Sequence, residues 1–221
     1  MGQLATRLIE ILITLPVILI SLSVHELCHG FAAYKLGDPT AKSMGRLSLN
    51  PLHHIDPIGF ITLLFFRVGW AKPVVIDSRF FKNPKRDVAI CSLAGPLSNF
   101  LLAFLFSFVY VFLVRIGLSL GLMSTASITY FEVLCMMAMY MVTINLGLGV
   151  FNLIPIPPLD GSKILYAFLP SRIIYKIMPY EKYIQLALIL LLLTGFLSGP
   201  IHSVVSLIYN LFMKIAQGAI L

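Results

Sequence analysis

The stretch ILITLPVILISLSVHELCHGFAAYK, residues 11–35, decides the fold class of this chain. Its first half is an unbroken apolar run, which continues past two histidines and a glutamate to Lys35. A helix that crosses the hydrocarbon core of a membrane needs about 20 such residues. Ionisable side chains cost roughly 2 to 3 kcal/mol each at membrane depth, so three of them within five residues predict a functional site.

The composition of the whole chain is that of an integral membrane protein. Of its 221 residues, 59% are hydrophobic and only 11% are charged, which is far from the average for soluble proteins. The segments long and apolar enough to be spanning helices are 6–34, 88–117, 128–151 and 183–213. Ser198-Gly199-Pro200 interrupts the last, so it could be one kinked helix or two short ones. We predict an all-α polytopic membrane protein with about four to six transmembrane helices, in a single domain over residues 1–221.

Residues 36–87, between the first two long segments, form a region of a different kind. The apolar piece 57–68 has about a dozen residues and suits a re-entrant or interfacial element better than a crossing. The stretches beside it are GRLSLNPLHHIDP, residues 45–57, and GWAKPVVID, residues 69–77. Their alternation and their prolines predict short strands and turns.

The basic residues indicate the orientation of the chain. If 36–87 does not cross, 13 of the 16 lysines and arginines lie on one face, and the loop 118–127 on the other face carries no charge. An excess of positive charge marks the cytoplasmic face. Because the basic residues lie in loops between apolar segments, they predict contact with the lipid bilayer and no nucleic-acid partner. The oligomeric state is unknown from the sequence.

The residues HELCH, 25–29, carry the pattern of a metal site. On a helix, His25 and His29 lie on one face, about 6 Å apart along the axis, where both imidazoles can bind one divalent ion. In the H-E-x-x-H pattern zinc activates a water and polarises a carbonyl, while the glutamate, here Glu26, transfers the proton. The alternative is that the histidines bond to neighbouring helices and that Glu26 is a protonated structural acid. Cys28 points to a different side of the helix and is interpreted as packing.

A hydrolytic zinc site requires a third protein ligand, and depth in the membrane selects Asp160. His25 and His29 lie about 9 to 15 Å below the cytoplasmic end of their helix. Asp160 follows the third span back to that side, in NLIPIPPLDG, residues 152–161, where the prolines prevent a regular helix. The alternative is that Asp160 is merely the N-cap of the next helix. Two other candidates, Glu10 and Glu132, are too far away. The position of a third, His202, is not fixed by the sequence.

Two further sets of polar residues have alternative interpretations. Asn152 could donate a hydrogen bond to a substrate carbonyl or a developing oxyanion, or it could tie down the broken backbone after the third span. His53, His54 and Asp56 resemble a metal cluster, but they lie in a polar loop where histidines are common and have no spaced partner. We therefore do not predict a metal site there.

The combination of HELCH, residues 25–29, with NLIPIPPLDG, residues 152–161, resembles the site-2 protease family of intramembrane zinc metalloproteases. GRLSLNPLHHIDP, GWAKPV and LAGPLSN are similar to stretches that the short prokaryotic members carry between those motifs. The resemblance covers about residues 20–170. No PDZ or CBS module is recognised in the sequence.

This resemblance implies a cofactor, a substrate class and a role for each site residue. It implies Zn²⁺ held by His25, His29 and Asp160, with Glu26 as the general base and Asn152 as a substrate-binding or transition-state residue. The substrate would be a membrane-spanning protein, cleaved in or near its transmembrane segment. The expected location is the prokaryotic cytoplasmic membrane, with the active site nearer the cytoplasmic face.

The alternative from another functional class is a membrane metal transporter or sensor that uses the same ligands. Such a protein needs polar residues in several spans that form a path to the far face. The half of the membrane near 118–127 offers little beyond Glu132. An inactive homologue that acts as a chaperone or scaffold is a third possibility, which the presence of the base and all three expected ligands disfavours.

Overall fold

The computed structural model describes residues 3–66, 69, 71–123 and 130–220, and in these residues the chain is helical without a β-strand. The helices are α1 Gln3–Lys35, α2 Thr40–Ser43, α3 Pro57–Phe66, α4 Pro84–Ser119, α5 Tyr130–Asn152, α6 Asp160–Phe168, α7 Ser171–Ile177, α8 Glu181–Leu193 and α9 Ser198–Ile220. Short 3₁₀ turns occur at Pro51–His53, Ser78–Phe80 and Met178–Tyr180. The predicted all-α class is confirmed.

Four of the described helices are long and apolar enough to cross a membrane: most of α1, and α4, α5 and α9. The first three coincide with predicted spans. The predicted span 183–213 is two helices, because α8 ends at Leu193 and α9 begins at Ser198. With 13 residues, α8 is about 20 Å long and too short to cross.

The interruption between α8 and α9 lies before Ser198-Gly199-Pro200, not within it. Gly195 takes a φ of +73° in the connection, a backbone conformation that favours glycine. Pro200 lies in the first turn of α9. The N–H groups of a first turn have no intrahelical partner, so proline is tolerated there and does not break the helix.

Helix α4 is the centre of the bundle, since it packs against α1, α5, α6 and α9. A buried cluster of Ala103, Val142 and Leu146 joins α4 to α5, and aromatic side chains from α4 and α9 pack around it. Gly149 of α5 faces the ring of Phe100, to which an added Cβ would approach within 3.0 to 3.2 Å. Small residues at this contact allow α4 and α5 to pack closely.

The short strands predicted in 45–57 and 69–77 do not form in the described part of these stretches, where Ile55 and Ala71 make an isolated β-bridge. A strand ladder requires backbone N–H groups that face a second strand. Pro73 has no N–H group. Lys72 N–H donates to the His54 carbonyl beside the bridge, but two later N–H groups donate to side chains: Val74 to the Glu26 carboxylate and Asp77 to the Asp38 carboxylate. Beyond the bridge, side chains of α1 and its C-terminal turn thus take the place of a partner strand.

The apolar piece predicted at 57–68 is a helix, α3, over its described residues. It has 10 residues, about 15 Å, and cannot cross a membrane. The end of that piece, Trp70 of the following stretch and the part 124–127 of the uncharged loop lie outside the described residues.

Replacing Gly149 with leucine is expected to destabilise the α4–α5 contact by about 1 to 3 kcal/mol, because the new side chain would overlap the Phe100 ring. Thermal unfolding in detergent measures the effect. Gly147→Leu is the matched control, since Gly147 is in the same helix and has no atom within 4 Å of an added Cβ. Equal loss of stability in both variants would contradict this packing.

Candidate metal centre

Three ligand-type side chains converge where α1, α4 and α6 meet. The Nε2 atoms of His25 and His29 lie 3.0 Å apart. Asp160 Oδ2 lies 3.2 Å from His25 Nε2 and 3.0 Å from His29 Nε2. In the described residues this is the one group of three or more histidine, cysteine or acidic side chains that could hold a metal ion, and all three members are buried.

The size of this triangle fits a small tetrahedral cation. Zinc binds imidazole nitrogen and carboxylate oxygen at about 2.0 to 2.2 Å, which places tetrahedral ligand atoms about 3.3 Å from one another. The measured separations are 3.0 to 3.2 Å. A set of two imidazoles and one carboxylate, with a fourth position for water, is the ligand set of a catalytic zinc site.

The outer nitrogen of each imidazole is fixed by an oxygen of α4. His25 Nδ1 lies 2.5 Å from Asn99 Oδ1, and His29 Nδ1 lies 2.7 Å from the Cys91 carbonyl oxygen. Carbonyl oxygens only accept hydrogen bonds, so both Nδ1 atoms donate and the neutral rings carry their lone pairs on Nε2. Three lone pairs therefore point at one position, which is the arrangement of a cation site.

Close approach of α4 to α1 depends on Gly95. A Cβ at this residue would lie 2.4 Å from His29 Nε2 and 2.7 Å from His25 Nε2. Pro96 follows within the helix and has no N–H to donate to the Ser92 carbonyl four residues earlier. The segment LAGPLSN thus supplies both the space for the imidazoles and, through Asn99, one of their hydrogen-bond acceptors.

Asp160 is the first residue of α6 and does not act as its cap. The N-cap residue is Leu159, which makes no side-chain capping bond. Gly161 brings α6 against the end of α5, since an added Cβ would lie 2.3 Å from the Leu153 carbonyl oxygen. Lys163 Nζ donates to Asp160 Oδ1 at 3.3 Å, and the second oxygen, Oδ2, faces the imidazoles.

The Lys163 ammonium beside Asp160 Oδ1 favours the ionised form of this carboxyl group. The ionised form is the one that binds a metal ion.

A buried amide network behind His25 was not anticipated from the sequence. Asn99 Nδ2 donates to Asn145 Oδ1 at 2.7 Å, and Asn145 Nδ2 donates to Ser21 Oγ at 2.8 Å. These three side chains are fully buried. The available signal was the presence of two asparagines within spanning segments, where a polar side chain needs an internal partner.

Glu26 lies beside the triangle on α1. It is half-buried, and its Oε2 accepts a hydrogen bond of 2.8 Å from the backbone N–H of Val74. As the neighbour of His25 on a helix, it projects about 100° further round the axis. Glu26 therefore lies off the ligand face and is not one of the three converging side chains.

Asn152 ends α5, and its Nδ2 donates to the Leu148 carbonyl oxygen at 3.0 Å. The acceptor lies one turn back within α5, so this bond does not reach the irregular backbone that follows. A role of Asn152 towards a substrate stays a prediction.

The polar loop between α1 and α3 holds its histidines by backbone contacts. His53 Nδ1 lies 3.1 Å from the Gly45 carbonyl oxygen and His54 Nε2 lies 2.7 Å from the Ser48 carbonyl oxygen. Asp56 Oδ1 accepts from the Gly59 N–H in the first turn of α3. None of the other residues considered as ligands belongs to the metal-capable group of the described residues: Glu10, Cys28, Glu132 and His202.

Spanning helices around a buried His-His-Asp site, with a glutamate beside the first histidine, define a membrane-embedded metalloprotease. The model of peptidase family M50 matches residues 13–197. The chain therefore belongs to peptidase family M50, the site-2 protease family.

The relatives carry provisional names of zinc metalloproteases. YwhC of Bacillus subtilis is 39% identical over 178 residues, which is 80% of this chain and 78% of YwhC. Rip2 of Mycolicibacterium smegmatis is 30% identical over 80% of this chain and 64% of its own length. MJ0611 of Methanocaldococcus jannaschii is 34% identical over 64% of this chain and 62% of its own length. No solved structure gives a significant match.

Substitution of Asn99 by alanine is expected to weaken zinc binding about 10- to 100-fold, because it removes the acceptor that fixes the ring and the tautomer of His25. Competition with a chelator of known affinity measures the change in the purified protein. Ser107→Ala is the control, since Ser107 is also buried on α4 but bonds to the Phe104 carbonyl of its own helix. Equal zinc affinity in both variants would contradict the assignment.

Proposed function

We propose that this chain cleaves peptide bonds in or near the transmembrane segments of membrane-spanning protein substrates, in regulated intramembrane proteolysis. The observation that carries the proposal is the convergence of His25, His29 and Asp160 within 3.2 Å of one another in a bundle of spanning helices. A metal site on the surface would serve soluble peptides equally well. Burial of this site among spanning helices supports a substrate that is itself in the membrane.

Zinc is the proposed cofactor, held by His25 Nε2, His29 Nε2 and Asp160 Oδ2. Two imidazoles and a carboxylate suit zinc, and the zinc metalloprotease names of the relatives support the same ion. When bound, zinc would act as a Lewis acid towards the scissile carbonyl and water. The α4 oxygens that bond both Nδ1 atoms keep the Nε2 lone pairs directed at the ion.

Glu26 is the proposed general base. A carboxylate can take a proton from the attacking water and return it to the leaving amine. Glu26 has the position on α1 for this role, since it follows His25 directly and is not one of the three converging ligands. Asn152 is the proposed substrate-binding or transition-state residue, an assignment that rests on the matching motif.

The substrate must unwind locally before it can be cleaved. In a helix each carbonyl accepts a hydrogen bond from its own chain, which shields the scissile group. The non-helical segment 153–159 leads directly into Asp160, whose carboxylate lies beside the histidines. Irregular backbone at membrane depth is tolerated where it lines a cavity or is buried in protein, so this segment is a suitable place for an unwound partner.

Glutamine in place of Glu26 is expected to lower cleavage of a single-pass model substrate by about 10²- to 10⁴-fold and to leave the bound zinc unchanged, because the base is lost and the ligands are kept. Asp160→Ala is expected to lose both zinc and cleavage. Metal analysis and a cleavage assay on the same purified samples in detergent check both outcomes.

Glu181→Gln serves as the control for these variants, since the Glu181 carboxylate lies outside the site and accepts from the Tyr166 hydroxyl. Normal proteolysis by the Glu26→Gln protein would refute the assigned base. Metal-dependent ion flux in liposomes without any cleavage would favour a transporter instead.

We infer that the end of α1 at Lys35, and with it the active site, faces the cytoplasm of a cell membrane, because 13 of the 16 basic residues would then lie on the cytoplasmic face. A cysteine introduced at Lys42, which is exposed, is expected to react with a membrane-impermeant maleimide in inside-out vesicles and not in intact cells. A variant without Cys28, Cys91 and Cys135 is the background for labelling. Labelling in intact cells alone would reverse the orientation.

A further inference from the structure

The segment Lys72–Asp77 lies along α1 although it is not part of a helix or a strand. Its side chains alternate in exposure: Val74 and Ile76 are half-buried, and Pro73 and Val75 are exposed. Ile76 packs against the cluster of Ala33, Phe81 and Cys91 between α1 and α4. This alternation, which repeats every two residues, indicates that one face of the extended segment packs against α1.

Two contacts join Val74 to one face of α1. Its backbone N–H donates to Glu26 Oε2 at 2.8 Å. Its Cγ1 lies 3.4 Å from the position that a Cβ of Gly30 would occupy. Residues 26 and 30 are four apart, so Glu26 and Gly30 lie on the same face of the helix. Because Gly30 has no side chain, Val74 can pack against this face of α1. In that position the Val74 N–H reaches the Glu26 carboxylate.

The segment is held on both sides of Val74. Lys72 N–H donates to the His54 carbonyl oxygen at 2.8 Å, and Asp77 N–H donates to Asp38 Oδ2 at 2.7 Å. Asp38 is fully buried, and its Oδ1 accepts from the Thr40 N–H at 2.9 Å. The anchors on either side fix the backbone, so the Val74 N–H is a preorganised donor.

We propose that the backbone N–H of Val74 positions the general base, by holding Glu26 Oε2 so that Oε1 is the oxygen that exchanges a proton with the attacking water. A glutamate side chain has three rotatable bonds, and one charge-assisted hydrogen bond restricts them. Because the role of Glu26 is itself proposed, this inference rests on the proposed function. In this proposal the segment Lys72–Asp77 orients the base.

The direct test is amide hydrogen exchange at Val74 in the purified full-length protein. Glu26→Ala is expected to speed exchange of the Val74 amide about 10- to 100-fold, the factor associated with one hydrogen bond to a charged acceptor. Glu26→Gln keeps an acceptor oxygen and is expected to retain most of the protection. The Asp77 amide is the internal reference, since its acceptor is Asp38 and not Glu26. Equal exchange at Val74 in wild type and Glu26→Ala would overturn the proposal.

The kinetic test compares loss of the donor with loss of the side-chain contact alone. Val74→Pro deletes the N–H and is expected to lower kcat about 10- to 100-fold, with KM and bound zinc unchanged, because the base loses its orientation. Val74→Ala loses the Cγ1 contact but keeps the N–H, and is expected to lower kcat less than Val74→Pro does. A wild-type kcat in a folded Val74→Pro protein would overturn the proposal.

The two tests separate this inference from the proposed function. If Glu26→Gln cleaved normally, the base assignment would fail, yet the exchange experiment would still report whether Glu26 binds the Val74 amide. If Val74→Pro fails to fold, the exchange comparison of wild type with the two Glu26 variants still decides the proposal.

Discussion

The structure depends on bringing the Asp160 carboxylate to two imidazoles that are more than 130 residues away in sequence. An ionised side chain at membrane depth is stable only if other charges or donors compensate it. Here the compensation comes from Lys163 on one oxygen and, on the other, from the cation that the carboxylate and the imidazole pair would share. The approach requires Gly95 beneath the imidazoles and Gly161 against the end of α5, because a Cβ at either residue would overlap its neighbours.

A network of buried amide and hydroxyl groups is connected to this site. Asn99 links His25 to Asn145 and, through it, to Ser21, so α1, α4 and α5 share one hydrogen-bond network. In a low dielectric such a network is favourable when its members are satisfied and costly when one is removed. Its effect on the site is to fix the tautomer and the plane of His25.

Much of the fold follows from the sequence, as does the convergence of the three candidate ligands, and the exceptions have physical reasons. Apolar length identifies α1, α4 and α5, and helical spacing together with depth selects His25, His29 and Asp160. The strands predicted in 69–77 do not form in the described residues, because carboxylates of α1 and its following turn accept the N–H groups that a partner strand would use. Which group accepts these N–H bonds depends on which segments meet in space, and so does the identity of the hydrogen-bond partner of Asn99. The spacing of residues along the sequence shows neither. An asparagine within a spanning segment does, however, indicate that its side chain has an internal partner.

The central claim is that His25, His29 and Asp160 bind one metal ion at membrane depth. Anomalous diffraction at the zinc absorption edge, from crystals of the zinc-loaded protein, tests it most directly. The account predicts one strong peak about 2.0 to 2.2 Å from Nε2 of each histidine and from a carboxylate oxygen of Asp160. A peak bound to the histidines that leaves the Asp160 carboxylate more than about 4 Å away would contradict it.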